Sequence, residues 1–305
     1  MLRATCLILL LILIIITESC GLDKESSDDN VIEVITEGMD FQSVDTIKSD
    51  WNAFRYINKS YETHFFLLNK YPEGKSIKDN KVEIIPPFQN GMDLINEGKT
   101  EEGIAEFNKL PKWFFDVVYF GGSGLISPKK TSLTYLKLDP GYYIMECYVK
   151  MENGKFHTAM GMVKPLVVID EKNDISLPVA DVKIEISSTS GISISSEILK
   201  GDQTFSVHFK DQIVHENFVG HDVNLVRYTN KKDLDELEEW MNWLNPKGLI
   251  TPSPKGITFL GGVNEMTAGN IGYFKVNLEP GSYALISEVP NASTKKMLKT
   301  FTISE

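Results

Sequence analysis

The chain has 305 residues, 42% of them apolar and 24% charged, which is the balance of a folded globular protein and excludes general disorder. Its formal net charge of −11 lacks the basic face that a nucleic-acid partner requires, so no nucleic-acid partner is expected. Beyond the first twenty residues, no segment approaches the roughly 18 consecutive apolar residues of a membrane-spanning helix.

The N-terminus stands apart from the rest. Arg3 precedes an unbroken apolar run over residues 6–16, followed by Thr17-Glu18-Ser19-Cys20. This is the layout of a secretory signal, and the small residue before Cys20 resembles the lipobox of bacterial lipoproteins. The resemblance implies cleavage before Cys20 and lipidation of that cysteine, with residues 1–20 as signal peptide. Residues 21–30 include the acidic, polar stretch Asp23-Lys24-Glu25-Ser26-Ser27-Asp28-Asp29-Asn30, a solvated tether. That stretch is similar to the acidic export signal of Bacteroidota lipoproteins. The expected location is therefore the cell envelope, lipid-anchored on the periplasmic side or at the outer-membrane surface. With Cys6 in the signal and Cys20 lipidated, Cys147 is the one remaining thiol and no intrachain disulfide can form.

The rest of the chain reads as two copies of one plan, a first domain over 31–169 and a second over 181–305, joined by a polar linker over 170–180. Each copy opens with an alternating strand, Val31-Ile32-Glu33-Val34-Ile35 and Val182-Lys183-Ile184-Glu185-Ile186. A second strand follows over 51–57 and 204–209, then a segment that opens on His64 in one copy and on His221 in the other. Helical insertions are expected over 89–108 and 233–241. Both lead to Gly-Gly pairs, Gly121-Gly122 and Gly261-Gly262, then to the Pro-Gly strands at Pro140-Gly141 and Pro280-Gly281, and then to a closing strand. Short strands bounded by Gly and Pro turns predict a mainly β chain of two tandem antiparallel Greek-key sandwiches, each with a short helical insertion.

The order of an Asn-containing turn, His64, a late Pro-Gly-Tyr strand ending on Cys147, then His157 and Gly161-Met162, resembles the cupredoxins, the blue-copper β-sandwich family. More closely, the helical insertion, the Gly-Gly pair and the ending His157…Gly161-Met162-Val163-Lys164-Pro165 look like exported bacterial proteins with cupredoxin-like domains. The resemblance covers the first copy almost entirely and the second faintly. It implies copper held by His64, Cys147 and His157, with Met162 as weak axial ligand; thiolate, imidazole and thioether are the donor types copper prefers.

Spacing opposes that expectation. Nine residues separate Cys147 from His157, where the family places only a few. If Asn153-Gly154 forms a two-residue hairpin turn, His157 faces Lys150, and Cys147 lies three residues along the strand, about 10 Å away at about 3.3 Å per residue. Donors about 2 Å from one metal cannot lie so far apart. Three readings follow: a full copper site, a looser Cu(I) site of His64, His157 and Met162, or a domain in which Cys147 and Met162 are core residues. In the second copy Cys147 aligns with Ser287 and His157 with Ala292, leaving His221 and Met297; His208, His215 and His221 are explained without metal. With five histidines, no close His pair and no nucleophile or phosphate motif, no enzyme is expected. The leading expectation is an envelope protein acting as a non-catalytic binding module for an unidentified protein or glycan. The alternative is copper binding in the first copy, for electron transfer or copper handling.

Overall fold

A computed structural model of the chain describes residues 30–305. The expected signal, the lipidation site Cys20 and nearly all of the tether lie outside the described residues.

Strand β1 (Val31–Thr36) pairs in parallel with the later part of β2 (Thr46–Asn58), from Val31 opposite Ala53 to Thr36 opposite Asn58. The start of β2 instead pairs with β7 (Val163–Lys172), and the register breaks between Lys48 and Ser49. Asp50, at φ 71°, lies at this bend, and the Asn52 amide caps it by donating to the carbonyls of Lys48 and Asp50, both at 3.0 Å. The bend lets one strand serve both layers of a sandwich, as corner strands do. One layer continues through β5 (Thr131–Leu138), antiparallel to β2. The other runs in the order β4 (Val118–Gly122), β3 (Leu67–Lys70), β6 (Gly141–Glu146) and β7.

The C-terminal half repeats these pairings, apart from the one between β2 and β7. Strand β8 (Val182–Ser187) is parallel to β10 (Gly201–Phe209), which is antiparallel to β13 (Ile271–Leu278). The second layer runs β12 (Ile257–Val263), β11 (Val223–Tyr228), β14 (Gly281–Ile286) and β15 (Leu298–Ile303). An additional strand, β9 (Gly191–Ile194), folds back on β8. The alternation read from the sequence is the alternation of burial: in β8, Val182, Ile184 and Ile186 face the core while Lys183 is exposed. Even turn details recur. Tyr143 donates to the carbonyl of Asp139 at 2.8 Å and Tyr283 to that of Glu279 at 2.7 Å, each tying a Pro-Gly turn to the strand that it launches.

The Gly-Gly pairs have a steric cause. Gly121 and Gly261 take φ of +87° and +113°, open chiefly to glycine. A Cβ on Gly122 would stand 1.7 Å from the carbonyl oxygen of Phe66, and one on Gly262 would stand 1.9 Å from that of Val223. Each pair lets its strand press against its neighbour at the same place in both halves.

Two expectations are corrected. The first helical insertion begins well before residue 89: α1 (Ile77–Asp79), opened by a Ser76–Asp79 capping box, runs through a π turn (Asn80–Ile84) into α2 (Ile85–Asn96) and then α3 (Thr100–Glu106). Pro86 and Pro87, which would break a helix interior, occupy the first turn of α2, where a missing N–H costs nothing. The expected linker starts inside a strand, because β7 extends to Lys172. The two halves also share a sheet: β5 and β13 pair antiparallel, with Tyr135 opposite Tyr273 and Leu133 opposite Lys275.

Candidate metal centre

Four elements bring the donors together. His64 precedes β3 and is fixed by exchanging backbone hydrogen bonds with Ile126 at 3.1 and 2.7 Å. Cys147 follows the last residue of β6. Its thiol accepts from the backbone N–H groups of Phe65 and Val149. His157 is the first residue of a single helical turn, α4 (His157–Met160). Met162 latches both sides, donating its N–H to the carbonyl of His157 at 3.0 Å and accepting from the N–H of Cys147 at 3.2 Å. All four side chains are buried.

The expected 10 Å separation of Cys147 and His157 is wrong, and the reason is one residue of register. Asn153-Gly154 does not form a two-residue turn; Met151 donates to the carbonyl of Lys155 at 2.9 Å, closing a wider one. Lys150 therefore pairs with Phe156, and His157 donates to the carbonyl of Val149 at 2.8 Å. A one-residue shift exchanges the faces of a strand. It moves His157 from the face of Lys150 to the face that Val149 shares with Cys147, and α4 then curls the imidazole inward. Gly161, at φ +125°, returns the chain to β7.

In the result, Sγ of Cys147 lies 3.8 Å from Nδ1 of His64 and 3.7 Å from Nδ1 of His157. The three donor atoms all lie within 4.8 Å of one another, and among the described residues no other group of three or more His, Cys, Asp or Glu side chains meets that criterion. Bond lengths of about 2.3 Å to sulfur and about 2.0 Å to imidazole nitrogen, held about 120° apart, place S and N about 3.7 Å from each other. The donor set fits a trigonal metal. Nε2 of His64 and of His157 is buried with no hydrogen-bond partner, so each ring can be fixed only from its Nδ1 side, where Sγ of Cys147 lies. A cation on Nδ1 would fix both.

Burial dominates the electrostatics. It pushes the Cys147 thiol up to about 12, against the partial relief of its two backbone donors. It lowers His64 to about 3 and, with the neighbouring His64 adding to the effect, His157 to about 2. At neutral pH and without metal the cluster is a neutral thiol between two neutral imidazoles.

The second half shows the same frame with its donors replaced. Met297 donates to the carbonyl of Ala292 at 2.7 Å and Ser287 to that of Met297 at 3.0 Å, matching the latches at Met162 and Cys147. The Ser287 hydroxyl instead donates to Asp222 Oδ1 at 3.0 Å and accepts from the Asp222 N–H at 3.0 Å. His221 uses both ring nitrogens, Nε2 lying 2.7 Å from the carbonyl of Asp211 and Nδ1 3.2 Å from Nε2 of His215. His208 is apart from them, beside Glu185.

No protein-family model matches the chain, and no curated protein does. Solved structures do match. Auracyanin B aligns with 43% of this chain and 94% of its own, at 17% identity and a TM-score of 0.30. Auracyanin A, a "blue" copper protein from Chloroflexus aurantiacus, aligns with 46% of this chain and 98% of its own, at 16% identity and a TM-score of 0.27. A multicopper oxidase aligns with 90% of this chain and 88% of its own, at 11% identity and a TM-score of 0.22. The structure itself is a mainly β arrangement of paired sheets with short helices. The expectation that the chain is no enzyme is withdrawn. It rested on five histidines without a close pair and on missing catalytic motifs, whereas the fold brings the rings of His64 and His157 together, 4.7 Å between centres, beside Cys147.

Proposed function

We propose that the N-terminal half holds one copper ion on Nδ1 of His64, Sγ of Cys147 and Nδ1 of His157, with Met162 as the weak fourth ligand, and works in single-electron transfer. The observation that carries this reading is the pair of sulfur–nitrogen distances, 3.7 and 3.8 Å, at the value a trigonal centre requires. One thiolate with two imidazoles and a nearby thioether suits copper rather than a hard cation such as magnesium. Copper bound there would supply a one-electron couple. The chain's own residues exclude water from the donors, since His64, Cys147, His157 and Met162 are all at 0% exposure. The Met162 latches and the His64–Ile126 bridge hold the donor positions on strand ends rather than on a free loop.

Adding Cu(II) to full-length protein in nonionic detergent tests the reading. An intense visible thiolate charge-transfer band that disappears in Cys147→Ser is expected. A colourless protein whose melting temperature does not rise with copper would refute it. We further propose that the unit over 31–169 carries this site, that the unit over 181–305 is its donor-depleted copy, and that Cys20 anchors both to the cell envelope. The apolar run and the small residue before Cys20 support that anchoring. Mass spectrometry of the processed N-terminus checks it, an unmodified Cys20 being the contrary result.

A further inference from the structure

Between the two halves lies a cavity of about 90 Å³, several times the ~10–15 Å³ that one water needs. Seven of its 15 lining residues are aromatic. The ring centre of Phe88 lies 5.7 Å from that of Phe114, 5.7 Å from Trp243 and 6.3 Å from Phe218; that of Phe156 lies 5.9 Å from Trp243. Two carboxylates also face it, Glu146 from the N-terminal half and Glu265 from the C-terminal half. Neither has an ammonium or guanidinium to answer it among the residues lining the cavity. One oxygen of Glu146 accepts from the Asn69 amide at 2.5 Å, and Oε2 of Glu265 accepts from the N–H of Gly220 at 2.9 Å. The Lys150 ammonium, 5.9 Å from the ring centre of Phe156, is engaged elsewhere, donating to the carbonyls of Trp243 and Asn245 at 2.8 and 3.0 Å.

Aromatic faces and carboxylates together attract one class of ligand. An alkylated ammonium group is bulky, weakly hydrated and positively charged, so ring faces and a nearby negative charge both favour it. A bare metal ion is not served, because the two carboxylates are not part of any group of three close donors among the described residues. A cation, unlike a neutral ligand, would favour the ionised form of either acid and gain its charge in a site that excludes most water. We propose that this cavity is a binding site for a small organic cation bearing a methylated ammonium headgroup, held by the rings of Phe88, Phe156, Phe218 and Trp243 and by Glu146 and Glu265. Burial, and then the neighbouring Asp222, raise Glu265 to about 8 against the relief of its backbone bond, as expected of a carboxyl group that lacks its cation. The site does not depend on the copper reading.

Calorimetric titration of the metal-free, full-length protein with choline, with tetramethylammonium and with 3,3-dimethylbutan-1-ol, the neutral isostere of choline, tests this. Both cations should bind saturably, and the isostere at least about tenfold more weakly, a gap of about 1.4 kcal/mol within the range of a desolvated cation–π contact. Glu265→Gln should weaken choline binding about tenfold and leave the isostere unaffected. The comparison of choline with its isostere needs no variant, so it stands even if Glu265→Gln folds poorly. Equal binding of the two, no binding of either cation, or a folded Glu265→Gln protein with unchanged choline affinity would each overturn the proposal.

Discussion

Copper uptake by the metal-free protein should release one proton, from Cys147, and none from the histidines. The thiol sits at about 12, His64 at about 3 and His157 at about 2, so at neutral pH the sulfur must lose a proton before it can bind while both imidazoles are already neutral. Ionising a thiol five units below its pKa costs roughly 7 kcal/mol, which the metal–sulfur bond must exceed. The apparent affinity should rise about tenfold per pH unit from about pH 5 to about pH 8, some 4 kcal/mol in all. Histidines at their ordinary value near 6.5 would behave differently. Below that pH the slope would steepen from one proton toward three, weakening binding by a further ~4 kcal/mol at about pH 5. Competition against a chelator of known copper affinity, repeated across this range, measures the slope, and proton release in weakly buffered solution counts it directly. A slope near three below pH 6.5, or one near zero, would refute the argument.

Other outcomes follow from single contacts. Copper at about one hundred times its dissociation constant should stabilise the protein by about 2.7 kcal/mol, and Cys147→Ser should abolish that gain in thermal or denaturant unfolding. Lys150 is fully buried, and burial lowers it to about 7. Between that value and the 10.5 of the unfolded chain, only the unfolded state binds the proton, so wild-type stability should climb with pH relative to Lys150→Met, by up to about 5 kcal/mol. Parallel denaturation curves at about pH 7 and about pH 10 check this, and a constant difference contradicts it. Gly122→Ala, whose Cβ would meet the Phe66 carbonyl at 1.7 Å, should cost at least ~3 kcal/mol, at the top of the overpacking range. Gly98→Ala has nothing within 4 Å of its Cβ and a φ of +83°, and should cost only the ~1–2 kcal/mol of a left-handed backbone.

The repeat could be read from the chain because its marks are local: a Pro-Gly turn, a Gly-Gly pair and an alternating strand each leave a signature within a few residues. The alignment of Ser287 with Cys147 and of Ala292 with His157 is matched bond for bond by the latches at Met297 and Met162. Features made by distant segments were not legible. The pairing of β5 with β13 joins two strands that look like ordinary alternating edges, and nothing near Leu133 or Lys275 announces the partner. The cavity carboxylates Glu146 and Glu265 likewise meet only after the halves dock. The helical insertion begins earlier than expected, with Pro86-Pro87 inside the first turn of α2.

The long segment between Cys147 and His157 is the instructive error. Its length was read as separating the donors, on the assumption that every added residue lengthens a hairpin between them. Residues 150–156 instead form an arm that lies against α2, with the Phe156 N–H bonded to Gln89, and that reaches the C-terminal half through Lys150. There the Lys150 N–H donates to the carbonyl of Leu249 at 2.7 Å, its carbonyl accepts from the N–H of Thr251 at 2.9 Å, and its ammonium reaches two further carbonyls. The base of the arm stays closed, with His157 bonded to Val149, so the donors converge whatever the arm does beyond them. In the C-terminal half the corresponding loop is five residues shorter and carries no such arm, and there Ser287 is bonded to Asp222 and the His221 ring to Asp211 and His215. Loop length and donor retention are therefore independent. The half with the longer loop is the one whose sulfur and two imidazole nitrogens still face one another, because the added residues serve docking and leave the geometry of the cluster to the strand ends.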